Sequence, residues 1–501
     1  MGMMNSLRHY SLGEPLSPSP HTVVASLPKM EDVRGYEEGD PRVLEAMRTG
    51  YPRFVLHPFV RELTDLFMEQ VGLFNRFAVL VSSLGSAQDL LLHVGSGVIS
   101  AAMDDELQLV HCNADDCVLK GKIQKYVQHT GCGISSRQAE DLLVRFGRLS
   151  EPFKEEFFEG DVVTAVTGQL AELYGCDETD LWLCASGMSA FYSGFRAVQK
   201  VQQSRGRTHW IQLGWLYLDS GCVLKAFLRD GETLECYYDV SDTDAFLKRL
   251  SSLSETLAAV VVECPTNPLV QICDLKSVSE AVHANGGMLI VDPTVASVYN
   301  MDVLPYADVL VNSLTKYAAY EGDVMMGSLA LNRQLSYYKY LRRAVPRLHV
   351  PPYFRDLRRI AHEMQDSAKI VEQMSENALR LAEFLRNHRA VCSVYHAATA
   401  THYAQVARGA SSCGAMISIE LSGSLEQFYD KIAVMKGPSF GTRVTLLSPY
   451  MYLAHYDLVT ETKGCEFLRK AGIAPELIRI SVGAEPYDEI EAVFANALDA
   501  L

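Results

Sequence analysis

Apolar residues in this chain gather in short blocks whose spacing predicts alternating strands and helices. Residues 258–262 form an unbroken apolar run ending on Glu263, and Ala307-Asp308-Val309-Leu310-Val311 forms another that opens into Asn312-Ser313. Short runs without polar alternation suit strands buried on both faces of a parallel sheet. Between them, Leu275, Val278 and Val282 fall at helical spacing behind a capping Asp274, and Asn285-Gly286-Gly287 stops the helix. Residues 288–291 make the next strand and deliver Asp292 to its end. Strand, helix, strand, strand predicts a parallel α/β sheet. Downstream, Met374, Ala378, Leu381 and Phe384 mark a helix over 370–385, and Met416-Ile417-Ser418-Ile419-Glu420-Leu421 alternates like a half-buried strand. Upstream, Phe77-Ala78-Val79-Leu80-Val81 leads into Ser83-Leu84-Gly85-Ser86, a strand-to-glycine form inside a smaller α/β pattern. The chain divides into an N-terminal arm and extension (1–150), a large α/β domain (151–345) and a smaller C-terminal α/β domain (346–501), with no solenoid-type repeat.

Ligands of parallel sheets gather at the carboxyl ends of strands, and Glu263, Asn267, Asp292 and Lys316 all fall there. A lysine beside Ser313 and Thr315 suits attachment of an aldehyde cofactor whose phosphate takes the hydroxyls. Asp292 suits a partner for a pyridine nitrogen, and Asn267 a donor to a ring hydroxyl. Each also has a plain reading: a surface lysine, a turn aspartate before Pro293, a turn asparagine between prolines. It is the four together, in this order, that point to pyridoxal phosphate.

Five stretches carry a resemblance. They are Cys184-Ala185-Ser186-Gly187-Met188-Ser189-Ala190, Glu263-Cys264-Pro265-Thr266-Asn267-Pro268, Val291-Asp292-Pro293-Thr294, Ser313-Leu314-Thr315-Lys316-Tyr317 and Ile478-Arg479-Ile480-Ser481-Val482-Gly483. The chain resembles the cysteine/methionine-metabolism group of fold-type I pyridoxal phosphate enzymes, which includes cystathionine γ-synthase, cystathionine γ-lyase and the O-acylhomoserine sulfhydrylases. Glu37-Glu38-Gly39-Asp40 and Tyr51-Pro52-Arg53-Phe54 are most similar to the fungal cystathionine γ-synthase branch. The resemblance implies a large domain around a mixed, mostly parallel seven-stranded sheet. It implies that Lys316 carries the cofactor and moves protons, with Tyr217 as stacking and proton-exchanging partner. Ser186, Gly187, Met188, Ser313 and Thr315 would hold the phosphate, Asp292 the ring nitrogen and Asn267 the ring hydroxyl. Arg479, with Glu263 and Asn267, would hold the substrate, its guanidinium clamping the α-carboxylate. Tyr51 and Arg53 would reach the phosphate of a neighbouring subunit, so a homodimer or homotetramer is expected.

The activity this implies is γ-replacement on O-acetyl-L-homoserine. Where many relatives carry Gly-Gly-His-Ser-Asp after the lysine, this chain has Ala319-Tyr320-Glu321-Gly322-Asp323. Near the C-terminus it has Ser439-Phe440-Gly441-Thr442-Arg443-Val444-Thr445 in place of a loop ending in Glu-Ser. The missing glutamate separates it from the lyases. Arg443, a cation where a second substrate could present an acid group, and Thr445 are read as substrate contacts, with a solvated loop arginine as the plain alternative, and the altered loop favours a carbon nucleophile such as a β-keto acid or ester. Cysteine, sulfide, γ-elimination and a catalytically inactive structural subunit are the alternatives. Lys316, Asp292 and Arg479 are all present, which weighs against the last.

Composition limits the partners. There are 45 basic and 61 acidic residues, a formal charge of −16, so nucleic acid and anionic membranes are repelled. No apolar run is long enough for a membrane span. The twelve cysteines hold no CxxC pair, and His111, Cys112 and Cys117 lack a second ligand pair, so no metal site is expected and the thiols are read as reduced, in the cytoplasm. Met1 to Pro20, rich in Ser and Pro, is expected to be a loose arm.

Overall fold

The computed structural model describes residues 6–49, 55–104 and 106–501. Tyr51 and Arg53 lie outside the described residues.

Three sheets follow one another along the chain. The first is antiparallel, with strands β1 (Arg76–Val81), β2 (Ile99–Asp104) and β3 (Leu107–Asn113) in the order β1-β3-β2, followed by helix α1 (Cys117–Thr130). The strand-to-glycine stretch after residue 81 belongs to this small sheet: Ser83 caps the helix Leu84–Val94 by accepting from Ser86 N.

The second sheet holds β4 (Leu181–Cys184), β5 (His209–Leu213), β6 (Thr233–Tyr237), β7 (Leu257–Glu263), β8 (Met288–Asp292), β9 (Val309–Ser313) and β10 (Gly327–Leu331), in the order β4-β10-β9-β8-β7-β5-β6. Strands β5 to β9 are parallel, while β10 runs antiparallel to both its neighbours. Every residue of β7 is buried, the pattern its unbroken apolar run predicts. Helix α2 (Gly187–Gln203) covers one face, where Phe191, Phe195 and Val198 pack among Val309, Val311 and Leu329. Helix α3 (Leu218–Ala226) follows β5 on the same side. On the opposite face Leu275, Val278 and Val282 of α4 (Leu275–Ala284) pack among Val260, Val262, Leu289 and Val291. Burying each such side chain contributes about 1.5–3 kcal/mol, so the edge of this sheet is a rigid platform.

Helix α5 (Phe354–Arg386) joins the two larger bodies. Leu357, Ile360, Met364 and Met374 enter the core of the central sheet, and Ala378, Leu381 and Leu385 enter the C-terminal core. The expected helix over 370–385 thus begins at Phe354, because the charged stretch before it is buried through ion pairs. Asp356 faces Arg137 at 3.1 Å, and Arg355 faces Glu155 at 2.9 Å. The third sheet has β11 (Val391–His396), β12 (Met416–Leu421), β13 (Met435–Lys436), β14 (Leu446–Pro449) and β15 (Ile478–Ser481), ordered β11-β12-β15-β14-β13, and α6 (Tyr450–Ala454) follows β14.

One expectation is corrected here. From Ser6 onward the N-terminal segment is not a loose arm. Leu7, Leu27, Met30 and Val33 lie in the C-terminal core with Ile417, Ile480 and Phe494, and Ser6 Oγ donates to Glu485 Oε1 at 3.0 Å. Ser and Pro there build turns, and the few apolar residues between them have a core to enter. Among the described residues no helix is long and apolar enough to cross a membrane.

Candidate active site

Strands β7 and β8 end in register, while β9 runs on past them, Val291 lying opposite Leu310. Glu263 pairs with Asp292 across β7 and β8, so two carboxylates emerge side by side, and Ser313 ends β9 three residues before Lys316. Glu263, Asn267, Asp292, Ser313 and Lys316 line one cavity. Gly187, Met188, Tyr217 and Arg479 line it too.

The floor of this cavity is polar, and each group on it is held. Asp292 Oδ1 accepts from Thr294 N at 2.9 Å. Burial pushes its carboxyl up to about 6, although the Thr294 hydrogen bonds pull the other way. Glu263 accepts from the backbone N–H of Tyr217, and its other oxygen, Oε2, has no hydrogen-bond partner among the described residues. Burial, then the charge of Asp292, raises this carboxyl well above the ordinary range. Lys316 Nζ donates to Ser439 Oγ at 2.6 Å and lies 5.0 Å from the Phe440 ring. Burial, then the nearby Arg479 cation, lowers its amine to about 7, so much of it is neutral near physiological pH.

Beside the floor, the start of α2 makes a concavity. Ser186 caps the helix by accepting from Ser189 N at 3.0 Å. A Cβ on Gly187 would lie 2.6 Å from Ser313 Cβ, so only glycine lets the helix start approach the β9 terminus. Backbone N–H groups at a helix N-terminus together with the Ser313 hydroxyl are the donors a phosphate needs.

Arg479, on β15, is brought in from the C-terminal body. Its guanidinium donates to Asn267 Oδ1 at 3.2 Å and to the Pro438 and Ser439 carbonyls at 2.9 and 3.1 Å. It lies between the rings of Phe440 (5.0 Å) and Tyr450 (4.9 Å). Burial lowers its pKa, as expected for a cation held by carbonyls and rings without a close carboxylate. An incoming carboxylate would complete it.

Three residues expected at the site are placed elsewhere. The Thr315 hydroxyl sits between Met326 N (3.1 Å) and Met326 O (3.4 Å), fastening the lysine loop to β10 rather than facing the cavity. Thr445 Oγ1 donates to Glu485 Oε2 at 2.8 Å and accepts from Gly483 N at 2.9 Å. Arg443 is ion-paired to Glu321 at 3.0 Å with 41% of its side chain exposed, and it does not line the cavity. The loop turns at Gly441 (φ 75°), whose carbonyl accepts from Tyr317 N, and this carries Phe440 inward and Arg443 outward. Ser220, Thr294, Ser439, Phe440 and Tyr450 were not expected. Thr294 and Ser439 lay inside quoted motifs, whereas nothing in the pattern around Tyr450 marks it.

This set of groups fits pyridoxal phosphate: a buried neutral amine, a carboxylate across the cavity, an anion-binding helix start and a second cation for a carboxylate. The profile of Cys/Met metabolism PLP-dependent enzymes matches residues 159–499. A protein of Streptantibioticus cattleyicolor named L-2-amino-4-chloropent-4-enoate dechlorinase/desaturase is 34% identical over 98% of this chain and 99% of its own length. The cystathionine gamma-synthase of Neurospora crassa is 25% identical, covering 98% of each chain. Among solved structures, cystathionine gamma synthase from Xanthomonas oryzae pv. oryzae is 25% identical, with a TM-score of 0.57 over 68% of this chain and 86% of its own. The chain is therefore a member of the Cys/Met metabolism family of pyridoxal-phosphate-dependent enzymes, the family of γ-elimination and γ-replacement.

Proposed function

We propose that this enzyme acts on a short L-α-amino acid bearing a leaving group at Cγ, with Lys316 as the group that moves protons along the substrate. The observation that carries the reading is the buried Lys316 amine, lowered to about 7, in a cavity shared with Asp292 and Arg479. Bound pyridoxal phosphate supplies the electron sink for charge left on the substrate carbon. Gly187 and Met188 N–H groups and the Ser313 hydroxyl would hold its phosphate, Asp292 its ring nitrogen, and Tyr217 and Asn267 would contact the ring. Arg479 takes the substrate α-carboxylate and fixes which C–H bond meets Lys316. Lys316, about half of it neutral at pH 7, accepts the Cα proton and returns it further along the chain.

In this reading O-acetyl-L-homoserine undergoes γ-replacement with a carbon nucleophile, and likeness to fungal proteins named as cystathionine gamma-synthase-like, such as ankD of Aspergillus thermomutatus, supports the replacement step. Tyr51 and Arg53 would complete the site of a neighbouring subunit in a homodimer or homotetramer. A second reading, elimination without an incoming nucleophile, has its own support. Arg443 faces Glu321 rather than the cavity, Phe440, Leu453 and Ala454 present an apolar wall, and the 34% identical relative is named for dechlorination.

The test is a parallel assay. O-acetyl-L-homoserine is supplied alone and with cysteine, sulfide or acetoacetate, and L-2-amino-4-chloropent-4-enoate is supplied with chloride release as readout. Replacement predicts acetate release with a substituted amino acid as product. Elimination predicts release without any nucleophile. Failure in all five arms by protein that has taken up pyridoxal phosphate would overturn the substrate class.

A further inference from the structure

We infer that the end of α1, in the N-terminal extension, is a positioning element of the cofactor's phosphate cradle, with Gln128 and Gly131 as its positioning residues. The inference rests on the pyridoxal phosphate reading above. It concerns a segment outside the 159–499 stretch that the family profile matches.

Two lips bound the phosphate end of the cavity, and α1 touches both. The first is Ser186–Met188 at the start of α2. Gly131 closes α1 in the left-handed region (φ 61°), and a Cβ there would lie 2.1 Å from Ser186 Oγ and 2.9 Å from Ser189 N. The residue-131 backbone thus rests directly on the hydroxyl that caps α2. The second lip is the start of α3. Gln128 Nε2 donates to Asp219 Oδ1 at 2.7 Å, and His129 Nε2 lies 3.9 Å from the same oxygen. Asp219 is buried in the first turn of α3, between Tyr217 and Ser220, both of which line the cavity. Tyr217 N is held from the opposite side by Glu263. The first turn of α3 is therefore fixed from within by the central sheet and from without by the extension.

The support is itself anchored. Directly after Gly131, the Cys132 carbonyl accepts from both Ser82 N and Ser82 Oγ at 3.0 Å, tying the turn to the end of β1. The small sheet of the extension is thus a brace whose far end is core and whose near end is the cradle. Phosphate binding by N–H groups at a helix start depends on their direction over a few tenths of an ångström. A shift of the α2 lip acts on the phosphate donors directly, and the first turn of α3 reaches that lip through Ser220 Oγ, 4.0 Å from Met188 Sδ, while Tyr217 stays held by Glu263.

The test compares two probes on the cofactor-depleted full-length protein: pyridoxal 5′-phosphate, and pyridoxal, which lacks the phosphate. Gln128→Ala is expected to weaken pyridoxal 5′-phosphate about fivefold, the worth of one side-chain hydrogen bond. Gln128→Glu, which sets a second carboxylate against Asp219, is expected to weaken it further. Gly131→Ala, strained and clashing, is expected to cost more than about tenfold. Pyridoxal affinity should stay within about twofold throughout, because a single lost contact at the phosphate end leaves the ring site intact. A merely structural role would lower both affinities in proportion, and that outcome, or unchanged binding of both probes, overturns the inference. If Gly131→Ala does not fold, the two Gln128 variants decide. Wild-type protein that takes up neither probe at Lys316 overturns the functional reading instead.

Discussion

The cavity has two walls of opposite character. The inner wall is the strand-end row of Glu263, Asp292, Ser313 and Lys316, whose polar groups point inward from the central sheet. The outer wall comes from the C-terminal body: apart from Arg479 and Ser448 it is Pro438, Phe440, Tyr450, Leu453 and Ala454, mostly apolar and carried on a loop and the short helix α6. One wall can perform proton chemistry on any bound amino acid. The other decides which side chain fits, and among the described residues it offers no second cation to an acidic co-substrate. Reaction and specificity thus reside on different parts of the fold, and they should respond differently to substitution.

Inner-wall changes should be the largest. Lys316→Ala removes both the attachment point and the proton carrier, so turnover should fall about 10³-fold or more. Borohydride reduction followed by peptide mass analysis should place the cofactor on Lys316 in the wild type and nowhere in the variant. Turnover near the wild-type rate would break the assignment of the inner wall. Arg479→Ala should lower kcat/KM about 10²-fold, mainly through KM, since a buried charged contact to the α-carboxylate is lost. Arg479→Lys should recover only part of this, because an ammonium cannot reproduce the fork that spans Asn267 and the two carbonyls.

An intermediate effect comes from the Lys316 amine. Cofactor capture needs the neutral form, and burial lowers this amine from its ordinary 10.5 to about 7. The rate at which depleted protein takes up pyridoxal phosphate should therefore fall about tenfold per pH unit below 7 and level off above it. The sign for stability follows from the same shift. Between about 7 and 10.5 the unfolded chain binds a proton at Lys316 that the folded one does not, so the depleted protein gains stability as pH rises through that window. A capture rate still climbing at pH 9 would place the amine in water rather than in the cavity.

How far the site could be read beforehand follows the same division. A buried strand fixes its last residue by length alone, so Glu263, Asp292 and Ser313 could be placed from their apolar runs. Arg479 came through the resemblance carried by Ile478-Arg479-Ile480-Ser481-Val482-Gly483, and an inward arginine on β15 needs an anion. Thr315, only two residues beyond the end of β9, does not line the cavity, because the loop folds back and its hydroxyl meets Met326. Farther from any strand the reading failed. The positions of Phe440 and Arg443 turn on Gly441 and its contact with Tyr317, a pairing of residues more than a hundred positions apart. Packing of Leu7 and Tyr10 against residues of the C-terminal body is equally non-local, and composition alone made Met1 to Pro20 a loose arm.

The smallest expected effect is also the sharpest probe of the outer wall. Arg443 lies in the loop whose sequence suggested a site for an acidic second substrate, yet its guanidinium is 3.0 Å from Glu321 and well exposed. The pair is exposed at Arg443 and half-buried at Glu321, worth about 1 kcal/mol, so Arg443→Ala should lower thermal stability only slightly. If the apolar wall faces the substrate's tail, kcat/KM should also stay within about twofold for O-acetyl-L-homoserine with neutral and acidic nucleophiles alike. A loss confined to acidic nucleophiles would turn the comparison around. It would mean that Arg443 leaves Glu321 during turnover and that the outer wall acquires its missing cation only when the second substrate arrives.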